Sequence, residues 1–174
     1  MMYNYLMYCE RIFKGLNKLR VKYILVGGVA VNLHGYSRTT ADLDIILSFK
    51  KTNIDRFIQL IGKLKMAPRL SVPVKDLADP EKRKEWFEKK NCFAFTVYNP
   101  KNEFESIDVL LDERIDFDAL YKKRIRLKAG SVTISLIDIN NLINMKKAVN
   151  RQRDKLDIQA LKKIRAIKND QKKN

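Results

Sequence analysis

The sequence predicts an α/β protein of the α+β kind: a small mixed β-sheet flanked by helices, with a helical C-terminal region. Three observations carry this expectation. The apolar run Tyr23-Ile24-Leu25-Val26 ends at Gly27-Gly28 and is followed by a short helical stretch and a second apolar run, Leu43 to Leu47, the succession of strand and helix that builds layered α/β folds. Cys92 to Tyr98 and Phe104 to Leu111 are strand-like runs joined by Asn99-Pro100-Lys101-Asn102, residues suited to a hairpin connection. After Asp138 the apolar spacing becomes helical. The spacing leaves the order of strands in the sheet open.

In chain order, Tyr3 to about Arg20 places Leu6, Phe13, Leu16 and Leu19 near helical spacing with Glu10, Lys14 and Lys18 between them, giving an amphipathic helix. Tyr23 to Val26 reads as a buried strand, Val29 to Leu33 as a short helix stopped by Gly35, and Leu43 to Leu47 as the second core strand. Asn53 to Leu64 sets Ile54, Phe57, Ile58, Ile61 and Leu64 on one helical face that covers the sheet. Pro68 to Lys90, broken by Pro68, Pro73 and Pro80 and heavily charged around Trp86 and Phe87, reads as irregular and peripheral. After the hairpin come a short helix at Asp116 to Tyr121, a basic run, and a strand at Ser131 to Leu136. Two helices follow, Ile139 to Val149 and Leu156 to about Ile167, with Asp138 and Asp154 as N-caps.

At 174 residues and 45% hydrophobic composition the chain suffices for one substantial core, so a single domain over 1–174 is expected, with 138–168 as its C-terminal helical part. No apolar stretch approaches the length of a membrane span and no leader pattern is evident, so a soluble, cytoplasmic protein without a membrane partner is expected. Cys9 and Cys92 are far apart and His34 is the sole histidine, a composition that offers no thiol or imidazole metal cluster. The formal charge is +16, from 36 basic and 20 acidic residues. Such a balance suits a polyanionic partner, although it equally suits a lysine-rich solvated surface.

The chemistry concentrates around Asp42-Leu43-Asp44. If Arg38 to Ile46 runs extended, alternation puts Arg38, Thr40, Asp42 and Asp44 on one side and Leu43, Ile45 and Leu47 on the other. Two carboxylates sharing a face repel unless cations or hydrogen bonds offset them, and hard divalent ions take oxygen ligands from such pairs. Asp108, between Ile107 and Val109, is another carboxylate in an apolar strand, costly to bury alone. A third metal ligand on a neighbouring strand resolves both problems. Gly27-Gly28 lets backbone approach a ligand closely, with the following helix offering N–H groups to phosphate. It lacks the Gly-Lys-Ser/Thr ending of a P-loop and the spacing of a dinucleotide fingerprint.

Gly27-Gly28, thirteen intervening residues, Asp42-Leu43-Asp44 and the later Asp108 resemble the three-carboxylate pattern of the nucleotidyltransferase superfamily related to DNA polymerase beta. Gly27-Gly28-Val29-Ala30 with Arg38-Thr39-Thr40-Ala41-Asp42-Leu43-Asp44 is most similar to the minimal nucleotidyltransferases that include the AbiEii toxin-like group. Lys146 and Arg151-Gln152-Arg153-Asp154-Lys155-Leu156-Asp157-Ile158 resemble that group's lysine-bearing helix and its Arg-x-Lys-Asp-Leu-x-Asp-Ile element. Arg153 replaces the usual lysine, and Asn150 stands where a glycine often precedes the arginine. The resemblance covers about residues 20 to 165.

That resemblance implies a nucleotidyltransferase-like fold and a magnesium-dependent enzyme moving an NMP from an NTP to a hydroxyl acceptor. It makes Asp42, Asp44 and Asp108 the ligands of two magnesium ions, with Asp108 helping to deprotonate the acceptor. Lys146 joins them in catalysis as a phosphate contact, and Gly27, Gly28, Arg38, Thr40 and Lys146 bind the nucleotide. Asp154 and Asp157 suit capping or bracing of the helices, with Asp154 also available to orient Lys146 or Arg153. His34, Tyr36 and Ser37 stand in the loop beyond the glycine helix. The base of the NTP is not specified; ATP is one candidate.

The acceptor is less legible. Lys122, Lys123, Arg124, Arg126 and Lys128 form a compact basic run, and from Lys146 onward eleven basic residues face three acidic ones. These suit tRNA or another RNA through phosphate contacts, and the toxin-like resemblance adds a cognate antitoxin as a partner. A small aminoglycoside-like hydroxyl compound is the alternative acceptor, and a non-catalytic nucleotide-binding module the alternative to an enzyme.

Overall fold

The computed structural model describes residues 2–40 and 42–171, with side chains described from residue 8 onward. Ala41 of the quoted motif and the side chain of Leu6 lie outside the described residues. In chain order the elements are α1 (Met2–Lys18), β1 (Tyr23–Leu25), α2 (Gly27–His34), β2 (Leu43–Leu47), α3 (Lys51–Lys63), β3 (Ala67–Pro68), a 3-10 turn (Val74–Ala78), α4 (Pro80–Lys89), β4 (Ala94–Asn99), β5 (Asn102–Leu110), α5 (Phe117–Lys123), β6 (Ile125–Ala129), β7 (Val132–Leu136), α6 (Ile139–Val149) and α7 (Gln152–Asp170). One seven-stranded mixed sheet runs in the order β3-β4-β5-β2-β1-β7-β6. Strand β2 is antiparallel to β1 and parallel to β5, and β1 is parallel to β7.

Alternation along the central strands separates two faces. Leu43, Ile45, Phe95, Val97, Ile107 and Val109 are fully buried, whereas Asp44, Thr96, Tyr98 and Asp108, one residue out of phase, are only partly covered. The helix α3 adds Ile54, Phe57, Leu60 and Ile61, spaced for one helical face, to the core. Its Asn53 accepts a hydrogen bond from the Lys22 amide (2.7 Å) and donates to the Ser48 carbonyl (2.9 Å), tying the helix start to both strands at one end of the antiparallel β1–β2 pair.

Three local expectations are corrected. The stretch 68–90 is not peripheral: Asp79 caps α4 by accepting from the Glu81 and Lys82 amides, with Pro80 in the first turn, the start signal that a proline otherwise hides. Trp86 is buried and stacks on Phe95 at 5.5 Å, Leu77 is fully buried, and Arg83 donates to the Leu77 carbonyl at 2.7 Å. The basic run after α5, to which the sequence assigns no element, contains one: 125–129 pair with β7 as an edge strand, its largely exposed side chains explaining why no apolar alternation marks it. Finally α7 begins at Gln152 rather than Leu156. Arg151 is its N-cap, and Asp154 sits three residues inside, accepting from the Arg151 amide.

Candidate active site

The ladder between β2 and β5 sets Asp44 directly opposite Asp108, because the two strands run parallel in that register. Residues opposite one another in a parallel pair point to the same face, so the DxD element and the later aspartate share the open side of the sheet. Thr96, opposite Asp108 on β4, donates its hydroxyl to Asp108 Oδ1 at 2.7 Å. Asp42 is exposed at the mouth of this row.

Electrostatics follow from that crowding. Burial, then the charges of Asp108 and Asp42, push the Asp44 carboxyl up to about 6, against a hydrogen bond from the Gly28 amide that favours its ionised form. Asp108 is also raised, by burial first and by Asp42, with the Thr96 hydroxyl and Arg69 acting in the opposite direction.

Strand β1 delivers the chain to this row. The helix α2 begins at Gly27, with Val26 as an N-cap that supplies no side-chain hydrogen bond, and the Gly28 amide is directed at Asp44. The glycine pair therefore lies inside the helix's first turn rather than ahead of it. Gly27 has φ +65°, and a Cβ there would stand 1.8 Å from Asp44 Oδ2; a Cβ on Gly28 would stand 2.5 Å from Thr40 Oγ1 and 2.9 Å from Arg38 Nη2. Glycine is required at both positions by close approach, and at the first also by backbone conformation.

The structure brings Arg38 and Thr40 to Gly28. Asn32 holds the loop there, donating to the Arg38 carbonyl (2.9 Å) and accepting from the Arg38 amide (3.0 Å). Arg38 then reaches α7. Its Nη2 donates to Asp157 Oδ2 at 3.1 Å, and its Nε lies 2.9 Å from Oδ1 as a charge contact without hydrogen-bond alignment. Lys146 does not point freely into the row. Its ammonium donates to Asp154 Oδ1 at 3.0 Å and lies 2.8 Å from Asp157 Oδ2. Asp157 is wholly buried, so two cations and two carboxylates form a closed, charge-balanced hub joining α6, α7 and the loop before β2.

Asn32, and the reach of Asp157 to Arg38 as well as Lys146, are what sequence reasoning misses. An asparagine on an apolar helix and an aspartate inside an otherwise helical pattern are the available signals. His34 has a structural role: buried, with Nε2 2.9 Å from the Ile137 carbonyl. Burial lowers its pKa.

An all-oxygen donor set suits a hard divalent cation, and the mutual charge of Asp44, Asp108 and Asp42 is what such an ion relieves. Among the described residues no three His, Cys, Asp or Glu side chains converge into a ready metal cage. Asp44 and Asp108 face one another across the β2–β5 ladder, with the exposed Asp42 at the edge of the row. No helix among the described residues is long and apolar enough to cross a membrane.

No curated protein matches the sequence significantly. Among solved structures, the solution structure of the antibiotic-resistance factor ANT(2'')-Ia aligns over 98% of this chain and 94% of its own, at TM-score 0.57 and 9% sequence identity. At that identity the likeness shows a shared fold. A family model described as "Nucleotidyltransferase of unknown function (DUF6036)" matches residues 9–171, and the chain belongs to that nucleotidyltransferase family.

Proposed function

We propose that this protein is a magnesium-dependent enzyme that transfers an NMP from an NTP to a hydroxyl of an RNA such as tRNA, releasing pyrophosphate. The observation that carries this is the register pairing of Asp44 with Asp108 beneath the first turn of α2. The triphosphate lies against Gly27 and Gly28, within reach of Thr40 and the Arg38 guanidinium. Asp42, Asp44 and Asp108 hold the magnesium ions, whose chemistry is neutralisation of phosphate charge and polarisation of the reacting oxygens. The acceptor oxygen attacks the α-phosphorus as the bond to pyrophosphate breaks. Its proton passes to Asp108 and then to solvent. Lys146 acts at one remove, sharing Asp157 with Arg38 so that this carboxylate is not paired with the guanidinium alone.

A second reading, a small-molecule acceptor, is favoured by the fold shared with an antibiotic-resistance factor. The net charge of +16 opposes a polycationic acceptor such as an aminoglycoside and favours RNA. Calorimetric titration of each NTP in magnesium tests the site: the wild type is expected to bind at least one NTP, and Asp44→Asn and Asp108→Asn each to weaken it at least about tenfold. Unchanged affinity in both variants refutes the assignment.

A further inference from the structure

The carboxylate row does not stop at Asp108. The Arg69 amide donates to the Thr96 carbonyl at 2.9 Å, extending the β3–β4 pairing one residue past Pro68. Across the sheet the order is therefore Asp44, Asp108, Thr96, Arg69. Neighbouring strands stand about 4.8 Å apart, so Arg69 lies about 10 Å from Asp108, two strands away.

We infer that Arg69, backed by Tyr98, is an acceptor subsite that takes a backbone phosphate of single-stranded RNA beside its reacting hydroxyl; this rests on the nucleotidyl-transfer reading above. In-line displacement places the attacking oxygen opposite the leaving pyrophosphate. The glycine turn and Arg38 occupy the β1 side of Asp44, so the acceptor enters from the β5–β4 side, where Arg69 stands. The guanidinium carbon sits 4.7 Å from the centroid of the Tyr98 ring. Stacking fixes the plane of the guanidinium and leaves its edge N–H groups for a ligand. Its carboxylate neighbour, Glu103, is 3.9 Å away and 73% exposed, too distant and solvated to satisfy the fork. Half of the Arg69 side chain is exposed, and its charge is felt at Asp108. A planar cation here binds phosphate in two-pronged fashion and repels a cationic small molecule.

Binding of a short fluorescein-labelled single-stranded RNA, followed by anisotropy over a salt series, tests this. Arg69→Gln is expected to weaken RNA affinity about tenfold and to reduce the slope of log affinity against log salt by about one. It leaves calorimetric NTP affinity unchanged. Arg69→Lys keeps the salt slope but loses part of the affinity, since an ammonium lacks the fork. Lys63→Gln on α3 removes the same charge away from the row and sets the effect of net charge alone. Equal losses in Arg69→Gln and Lys63→Gln overturn the inference, as does a wild type that binds no RNA. Should the wild type bind RNA with the expected Arg69 dependence but bind no NTP, the subsite stands and the catalytic reading falls. NTP binding with no Arg69 effect on RNA has the opposite meaning: the catalytic reading stands and the subsite falls.

Discussion

Asp157→Asn is the substitution that asks most of the charge hub. The wild-type cluster balances Arg38 and Lys146 against Asp154 and Asp157, with side chains 16%, 9%, 12% and 1% exposed respectively. An asparagine keeps the shape but leaves one excess positive charge between α6, α7 and the loop before β2, where little water reaches. Breaking a buried pair in this way costs about 3–5 kcal/mol, and the partial exposure of Arg38 argues for the lower end. Against a total stability of about 5–15 kcal/mol for a domain, that is a large fraction. Urea unfolding at neutral pH is expected to show the loss as a lower midpoint with an unchanged m-value. Lys146→Met alone should also destabilise, but the double variant restores charge balance, so its cost falls short of the sum of the singles by at least about 1 kcal/mol. A cost for Asp157→Asn below about 1 kcal/mol, or simple additivity of the two, refutes the hub as a coupled unit.

Two further outcomes follow from the same geometry. Gly27→Ala is expected to cost about 1–2 kcal/mol for a left-handed non-glycine residue and, because its Cβ would meet Asp44 Oδ2, to abolish NTP binding while far-UV circular dichroism stays native; retained NTP affinity contradicts the close-approach argument. For Asp44 the sign runs from its pKa: raised from 3.8 to about 6, it favours folding while protonated, and that contribution, about 3 kcal/mol, is lost as pH rises through this range. Asp44→Asn should therefore be more stable than the metal-free wild type at pH 7.5 and lose that advantage at pH 4, as urea unfolding at the two pH values will show.

Much of the fold and site is legible in the chain. Alternation through Asp42-Leu43-Asp44 and the isolated Asp108 predicts carboxylates on one face because the period of a strand admits few alternatives. The parallel pairing of β2 with β5 that sets Asp44 against Asp108 is not readable, since register depends on contacts between distant segments. Trp86 and Leu77 read as peripheral because the prolines and charges around them mask a capped helix whose buried face is only a few residues wide. The edge strand β6 is hidden for the opposite reason: solvent on both sides removes the apolar alternation by which strands are recognised. The sequence pattern turns Lys146 toward the nucleotide and offers Asp154 as its partner, a contact the structure shows, whereas the reach of Asp157 to both Lys146 and Arg38 depends on the tertiary approach of α7.

Whether the Asp44–Asp108 pair serves nucleotidyl transfer is decided by the position of a label. Purified protein is incubated with magnesium, RNA, and each NTP labelled at the α- or the γ-phosphate. The expected result is α-label on RNA and γ-label in pyrophosphate, both abolished by Asp44→Asn and by chelation of the metal. Transfer of γ-label to RNA, or α-label transfer that persists in Asp44→Asn, contradicts the assignment.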